Sequence, residues 1–251
     1  HAALYAQGCH TPGTAKATYG TGSSIMMNVG TAPLFSNHGL STSVGFSAQG
    51  KTYYALEGNI TSCGDTLRWL CDDLRLFRDP AEIEALAVTA STSDGVSLVP
   101  AFNGLGTPYF DSRARTLLSG INRSTKKEHI AHAALASIAH QDTDVLEIMN
   151  EDSGYPLHTL HVDGGPTQNA YLMQMQADYA NCTIHCSADS ELSALGAAYM
   201  AGIAIGLYTA FEDIPALQTP PTTYVPKTSR LTRIYCRSQW KKAVQRARSN
   251  G

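Results

Sequence analysis

Alternating apolar and polar positions at the start of the chain predict short β-strands. Four runs are rich in Tyr, Val, Ile, Thr or Met and are separated by Gly, Ser, Asn or Pro. Consecutive strands joined by short turns pair antiparallel, so the pattern predicts an antiparallel meander. The four predicted strands lie around residues 15–20, 24–29, 42–48 and 52–60.

The apolar spacing then changes to that of helices. The predicted buried face of the first helix consists of Leu67, Leu70, Leu74 and Phe77. Asp79-Pro80 marks the start of a second helix, because Pro is favoured in the first helical turn. Ile83, Leu86 and Ala87 give this second helix its apolar side.

A long helix is predicted in the middle of the chain. Residues 96–124 hold glycines, prolines and turn formers around two short apolar runs, which predicts strand and ordered loop. Thr125-Lys126-Lys127-Glu128 then matches a capping box, in which the Thr hydroxyl and the Glu carboxylate satisfy backbone N–H groups. The helix is expected to run through Met149 and to stop at Gly154.

Strands and helices alternate after residue 154. A strand is predicted at 157–162 and is followed by a helix with one apolar side. A second strand at 182–186 is followed by an apolar helix after Glu191. A meander followed by this alternation predicts an α/β fold with a mixed sheet flanked by helices. No repeat or low-complexity linker interrupts the chain, so we expect a single domain over residues 1–251.

Residues 192–211 contain no charged side chain and include Gly202-x-x-x-Gly206, so a membrane span is an alternative to a buried helix. Ala, Gly, Ser, Thr and Tyr dominate the segment, whereas strongly lipophilic side chains are few. This composition favours a tightly packed helix in the core, where glycine allows close backbone approach, and we expect no membrane partner.

Composition and charge exclude few functions. The 251 residues are 43% hydrophobic with a formal net charge of −3, which is typical of a globular protein and gives no bias toward nucleic acid. Residues 214–251 contain eight Lys or Arg and no Asp or Glu. This segment is interpreted either as a solvated basic helix or as a docking face for an acidic partner.

The six cysteines form no C-x-x-C pair, which favours reduced thiols in the cytoplasm. Cys182, His185 and Cys186 lie near one another in sequence, but a strand would point His185 away from both thiols. A structural role is therefore favoured over a metal site for this group.

Two glycine corners are the strongest candidates for a binding site. Gly20-Thr21-Gly22 precedes an apolar run, and Gly164-Gly165 lies where a strand becomes a helix. Amides at such corners and at helix N-termini bind anionic oxygens. A plain turn remains the alternative for the first corner, and neither a P-loop nor a G-x-G-x-x-G pattern is present.

Six ordered motifs resemble the C-terminal half of the FGGY carbohydrate kinases, over nearly all of residues 1–208. They are KATYGTGSSIMMNVG, LEGNI, VPAFNGLGTPYFDSRAR, SGINRSTKKEHIAHAALASIAHQ, LHVDGGPTQNAYLMQMQADYA and ELSALGAAYMAGIAIG. The resemblance implies an actin-like (ribonuclease H-like) domain that binds ATP and Mg²⁺. It also implies a sugar or polyol substrate, held by an N-terminal domain that this chain does not contain.

The resemblance implies a nucleotide-binding set of Gly20, Thr21, Gly22, Gly64, Arg68, Gly164, Gly165 and Asn169. Thr21 would contact the terminal phosphates of ATP, and Gly64, Gly165 and Asn169 would hold the ribose and adenine. Arg68 stands where glycerol kinases have glutamine. Three further departures from the family pattern, which concern specificity and not the fold, are Phe110, Thr116 and Ala136.

The general base of this family is an aspartate in a Gly-Asp pair just upstream of the position that His1 resembles. No catalytic residue is therefore expected in this chain. Asp163 would position Mg²⁺ through water, and Asp111 is expected to have a role in loop structure. We expect the ATP-binding half of a carbohydrate kinase, inactive by itself and with the acceptor sugar undefined. The alternative is a regulatory or scaffolding nucleotide-binding module, and a homo-oligomer is left open.

Overall fold

A computed structural model describes residues 1–48, 50–189, 191–209 and 219–248. The helices are α1 (Ala2–Ala6), α2 (Gly64–Arg68), α3 (Pro80–Ala90), α4 (Lys127–Ser153), α5 (Ala170–Ala180), α6 (Leu192–Ala204) and α7 (Arg230–Ala247). The strands are β1 (Ala15–Tyr19), β2 (Ser23–Gly30), β3 (Ser41–Ala48), β4 (Lys51–Ile60), β5 (Ser97–Val99), β6 (Leu117–Ser119), β7 (Thr159–Asp163), β8 (Thr183–Cys186) and β9 (Thr222–Tyr224).

The main sheet of the described residues is mixed and has the strand order β3-β4-β2-β1-β7-β8-β9. Strands β1 to β4 pair antiparallel as predicted, but the predicted meander is wrong, because β2 pairs with β4 and β3 lies on the outer side of β4. β7 pairs parallel with β1, and β8 pairs parallel with β7. The carboxyl ends of β1 and β7 therefore lie at the same edge of the sheet, which brings the turn after β1 next to the turn after β7.

Alternation along the central strands divides the core between the two faces of the sheet. On β2, Ile25 and Met27 pack in the cluster that contains α4 and α5. Met26 points the other way and packs with Leu4 of α1 and Leu192 of α6. Successive side chains of a strand point to opposite faces, so one run of apolar residues buries both layers of helices.

The predicted first helix is wrong beyond Asp73. α2 continues only as a π-helical turn over Trp69–Asp73, and Leu74 is 44% exposed. Arg75 adopts a positive φ of 53°, which turns the chain away from the helix axis. Phe77 is buried, but it lies in the loop before α3. The predicted start at Asp79-Pro80 is confirmed, because Asp79 Oδ1 accepts a hydrogen bond from the Glu82 amide (2.8 Å).

The predicted Thr125–Glu128 capping box is also wrong. The Thr125 hydroxyl accepts a hydrogen bond from the amide of Asn122 (2.9 Å) and belongs to the preceding turn. Lys126 is the N-cap of α4, and its amide donates to Nδ1 of His129 (3.2 Å). A Thr side chain can bond the backbone on either side, and here the local turn takes it. The predicted stop at Gly154, with φ 70°, is confirmed.

α6 contacts α1 through glycine. An added Cβ on Gly196 would lie 1.9 Å from the carbonyl oxygen of Ala2, so the two backbones touch. Among the described residues, no helix is long and apolar enough to cross a membrane. The predicted close backbone approach at glycine is confirmed, but α6 is not enclosed in the core, because Ala194, Ala197 and Ala201 on its other side are exposed. Residues 210 and 211 of the predicted segment lie outside the described residues.

The basic C-terminal segment is a helix with one buried side. The guanidinium of Arg237 on α7 pairs with Asp144 and Glu147 of α4, and Trp240 Nε1 donates to Asp144 Oδ2 (2.7 Å). Burial raises the pKa of Asp144, and the positive charge of Arg237 opposes that effect. Lys241 of α7 also pairs with Glu147 but is exposed, so the solvated-helix interpretation is wrong for Arg237 and holds for Lys241.

We predict that Asp144→Ala lowers the free energy of unfolding by about 3–5 kcal/mol, because it leaves the buried Arg237 charge without its partner. Urea denaturation measures the change. Lys241→Ala is the matched control, since it removes an exposed ion pair with Glu147 (3.1 Å) and should cost less than about 1 kcal/mol. Equal losses in the two variants would contradict the prediction.

Candidate functional site

The turn between β1 and β2 consists of Gly20, Thr21 and Gly22. The amide of Gly20 donates to the carbonyl of Gly22 (2.7 Å), and the Thr21 side chain is exposed. The carbonyls of Gly20 and Thr21 accept hydrogen bonds from the amides of Gly64 (2.9 Å) and Cys63 (2.8 Å). The turn therefore caps the N-terminus of α2, and these two amides are already occupied.

Three glycines allow the turn to touch its neighbours. A Cβ added to Gly22 would lie 2.2 Å from the carbonyl oxygen of Ile60. A Cβ added to Gly64 would lie 2.7 Å from the carbonyl oxygen of Gly20. Gly164 has φ 102°, and its Cβ would lie 1.9 Å from the Tyr19 carbonyl oxygen. The β1–β2 turn, the start of α2 and the turn after β7 are therefore packed backbone to backbone, as the predicted two-corner site requires.

Gly165 differs from these three glycines because nothing lies within 4 Å of its Cβ position. It begins a short 3₁₀ helix, Gly165–Gln168, and borders an open cavity of about 340 Å³. The opposite wall of this cavity includes Ser187 and Asp189, which follow β8. A flat group can approach the backbone at Gly165 without a clash.

Asn169 and Arg68 have different surroundings. Asn169 is buried and caps α5, with its Oδ1 accepting from the amide of Leu172 (2.8 Å). The cap uses the oxygen only, which leaves the amide nitrogen to donate elsewhere. Arg68 is exposed at the last residue of α2.

Asp163 ends β7 and is 4% exposed. Its Oδ1 accepts hydrogen bonds from Thr18 Oγ1 (2.7 Å) and Gln7 Nε2 (2.8 Å). Burial raises the pKa of Asp163, and the hydrogen bonds and the Lys16 charge oppose that effect. Both of these hydrogen bonds go to Oδ1, so Oδ2 is the oxygen that would face a water ligand of Mg²⁺, which keeps several waters in protein sites.

Lys16 is a member of this cluster that the motif analysis did not single out. It is 3% exposed, and its Nζ donates to Thr18 Oγ1 (3.1 Å) and to the Ser24 carbonyl (3.0 Å). Burial lowers its pKa, and the charge of Asp163 opposes this. A single Lys inside the apolar strand AKATY is the signal that could have identified it, because a buried Lys requires a charged or polar partner.

The remaining sequence candidates have structural roles. Asp111 Oδ1 accepts from the amides of Arg113 (3.0 Å) and Ala114 (3.1 Å), which confirms its role in the loop. Cys182 and Cys186 are buried, and burial raises the pKa of each thiol to about 12. Within the described part of the chain, no group of three or more His, Cys, Asp or Glu side chains could hold a metal ion.

Comparison with known proteins identifies the family. Residues 15–205 match the FGGY family of carbohydrate kinases, C-terminal domain. This chain belongs to the FGGY family. Two relatives are the glycerol kinases of Bacillus licheniformis, 43% identical over 248 residues, and of Thermus thermophilus, 44% identical over 246 residues. These alignments cover 99% and 98% of this chain and 50% of each relative, so the FGGY chain spans about half the length of the curated relatives it matches.

Solved structures agree with this assignment. Plasmodium falciparum glycerol kinase with ADP superposes with a TM-score of 0.92 at 33% identity, over 98% of this chain and 49% of that one. A ligand-bound xylulose kinase from Lactobacillus acidophilus gives a TM-score of 0.81 at 19% identity, over 98% and 48% of the two chains. The predicted actin-like fold, a mixed sheet flanked by helices, is confirmed for this FGGY chain.

The two adjacent glycines Gly164 and Gly165 should differ in their effect on stability. We predict that Gly164→Ala lowers the free energy of unfolding by about 1–3 kcal/mol, because the new Cβ overlaps the Tyr19 carbonyl and the backbone has a positive φ. Gly165→Ala should change it by less than about 0.5 kcal/mol, because its side chain meets open space. Thermal and urea denaturation compare the variants, and a larger loss at Gly165 would contradict the packing described.

Proposed function

We propose that this chain is the nucleotide-binding half of an ATP-dependent carbohydrate kinase that transfers the γ-phosphate of ATP to a sugar or polyol hydroxyl. The observation that carries the proposal is the superposition on a glycerol kinase with ADP, at 33% identity and a TM-score of 0.92. The stand-alone regulatory module has no comparable support. The identities of 43% and 44% with glycerol kinases favour glycerol as the acceptor.

In the proposed site, the exposed Thr21 side chain and the backbone of its turn contact the terminal phosphates. Gly22, Gly64 and Gly164 permit the close packing that shapes the cradle. Gly165 offers its open face to the adenine or ribose, and the Asn169 amide nitrogen donates to the nucleoside. Arg68, exposed on α2, is proposed to contact a polar edge of the nucleotide through its guanidinium.

Asp163 is proposed to orient Mg²⁺ through water. A bound Mg²⁺ would neutralise charge that develops on the transferred phosphoryl group. Thr18 and Gln7 hold the carboxylate by Oδ1, and Lys16 balances its charge. Neither Asp163 nor Asp111 is proposed as the base. We propose that the general base and the sugar site lie in the part that corresponds to the half of the relatives outside these alignments.

Transfer requires the hydroxyl, the base and the γ-phosphate to meet in line. The role proposed for this chain is to bind the phosphates and to restrict the motion of the nucleotide. The γ-phosphate would then lie at the sheet edge where β1 and β7 end. A cytoplasmic location and a homo-oligomer remain predictions.

We predict that Gly165→Val weakens ADP binding at least about tenfold without unfolding the protein, because the branched side chain fills the space proposed for the nucleoside. Calorimetric titration with ADP measures the affinity, and circular dichroism checks the fold. Gly165→Ala is the graded control and should retain more affinity than the valine variant. Wild-type affinity in Gly165→Val would place the nucleoside elsewhere.

We predict that residues 1–251 alone bind Mg-ATP weakly and release no ADP in response to glycerol or xylulose. One open face leaves the phosphates in water, where their contacts are screened. Calorimetry at millimolar ATP tests binding, and a coupled ADP-release assay tests turnover. Sugar-dependent turnover would mean that the base lies within this chain, and Asp163→Asn and Asp111→Asn would then identify it.

A further inference from the structure

Asp142, at the middle of α4, is completely buried beneath the β1–β2 turn. Its Oδ2 accepts a hydrogen bond from Ser23 Oγ (3.1 Å), whereas its Oδ1 has no hydrogen-bond partner among the residues that the structure describes. A carboxylate deprived of water at one oxygen is unfavourable, whereas a protonated carboxyl can donate from that atom. The surroundings of Asp142 therefore favour a neutral acid.

The groups around Asp142 come from the elements that build the proposed nucleotide site. Tyr19 of β1 and Ser23 of β2 both interact with the carboxyl, and they form the cross-strand pair that closes the Gly20-Thr21-Gly22 turn. The Tyr19 hydroxyl donates its own proton to Gln176 Oε1 of α5 (3.0 Å). Its oxygen can therefore accept a proton from Asp142.

The remaining neighbours supply no compensating positive charge. Cys63, just before α2, is a fully buried thiol whose pKa is raised by burial and by the charge of Asp142. Asp144, two residues further along α4, raises the pKa of Asp142 by like-charge repulsion. Among the described groups that influence Asp142, none is a cation.

α4 also holds the segment that leads into α2, through the residue next to Asp142. Gln141 Nε2 donates to the carbonyl of Ser62 (3.2 Å), immediately before Cys63 and Gly64. Gln141 therefore holds the segment before α2, and Asp142 holds the strand that follows the β1–β2 turn. A change in the charge of Asp142 acts on the base of this turn.

We propose that Asp142 is a positioning residue whose protonation couples to nucleotide binding at the Gly20-Thr21-Gly22 turn, an inference that rests on the proposed function. The neutral acid bridges Ser23 and Tyr19 and keeps the turn closed. The ionised form places an uncompensated negative charge beneath the site that receives phosphates. Nucleotide binding is therefore accompanied by proton uptake at Asp142, and affinity falls as this group ionises.

The pH range follows from the burial of the carboxyl. Burial raises the pKa of Asp142 to about 7, and the hydrogen bond that Ser23 donates limits the increase. Because the bound phosphates favour the neutral form further, affinity decreases as pH rises through neutrality. Coupling to one proton limits this effect to about tenfold per pH unit.

The test is the dissociation constant for ADP, measured by calorimetry from pH 6 to 8 for wild type and Asp142→Asn. ADP titrates in both proteins, so the ratio of their dissociation constants isolates the effect of residue 142. We expect the ratio of wild type to variant to rise about threefold to tenfold across this range, as expected for one linked proton. A constant ratio would overturn the proposal.

Ser23→Ala provides a second variant with a distinct expectation. It removes a hydrogen bond that lowers the pKa of Asp142, so the decline in affinity should move to higher pH. Titration of wild type and Asp142→Asn in buffers with different ionisation enthalpies reports the proton uptake of each protein, and the difference between them removes the contribution of ADP. Equal proton uptake by the two proteins at pH 7 would reject the coupling.

Denaturation without nucleotide separates this inference from the proposed function. A carboxyl whose pKa is raised on folding makes the protein less stable as pH rises from about 4 to about 7, and Asp142→Asn should remove that decline. If the decline disappears but ADP binds with the same pH dependence in both proteins, only the coupling is wrong. If ADP binds neither protein at any pH, the proposed function is wrong and the coupling with it.

Discussion

The contact between the Tyr19 carbonyl and the backbone of Gly164 fixes the geometry on which the candidate site depends. β1 and β7 are parallel neighbours, so their carboxyl ends meet at one edge of the sheet. Only a residue without Cβ allows the turn after β7 to lie against the end of β1, since an added Cβ would be 1.9 Å from that carbonyl oxygen. The β1–β2 turn in addition lies against Gly64, and its carbonyls accept hydrogen bonds from the backbone amides at the start of α2.

Helix α4 supports this edge from below and joins it to the rest of the molecule. Its buried polar side chains have separate attachments along its length. Gln141 holds the segment before α2, Asp142 contacts the β1–β2 turn, and Asp144 holds α7 through Arg237 and Trp240. Burying this many polar groups is tolerated because most of them are bonded. In the described part of the chain, the exceptions on α4 are Asp142 Oδ1 and His132 Nδ1, and Asp142 is the one that contacts the strands of the β1–β2 turn.

Local pattern predicted the strands well because the alternation of apolar residues and the glycine turns act over a few residues. The predicted strand at residues 52–60 differs by one residue from the observed β4, Lys51–Ile60. The errors lie where two local structures compete. Helical spacing at Leu74 and Phe77 was overridden by the left-handed residue Arg75, and the Thr125 hydroxyl bonded to Asn122 instead of capping α4.

The sequence by itself determined the mixed α/β fold, because strand periodicity is encoded by neighbouring residues. Its six ordered motifs carried the resemblance to the family, and with it the glycines of the candidate site. Only the tertiary structure distinguished Gly164, closed by Tyr19, from the open Gly165. It also placed Lys16 beside Asp163 and Asp142 beneath the turn. Those environments arise between residues more than 100 positions apart, as for Ser23 and Asp142. Burial and hydrogen bonding then set their charge, which no short pattern in the chain specifies.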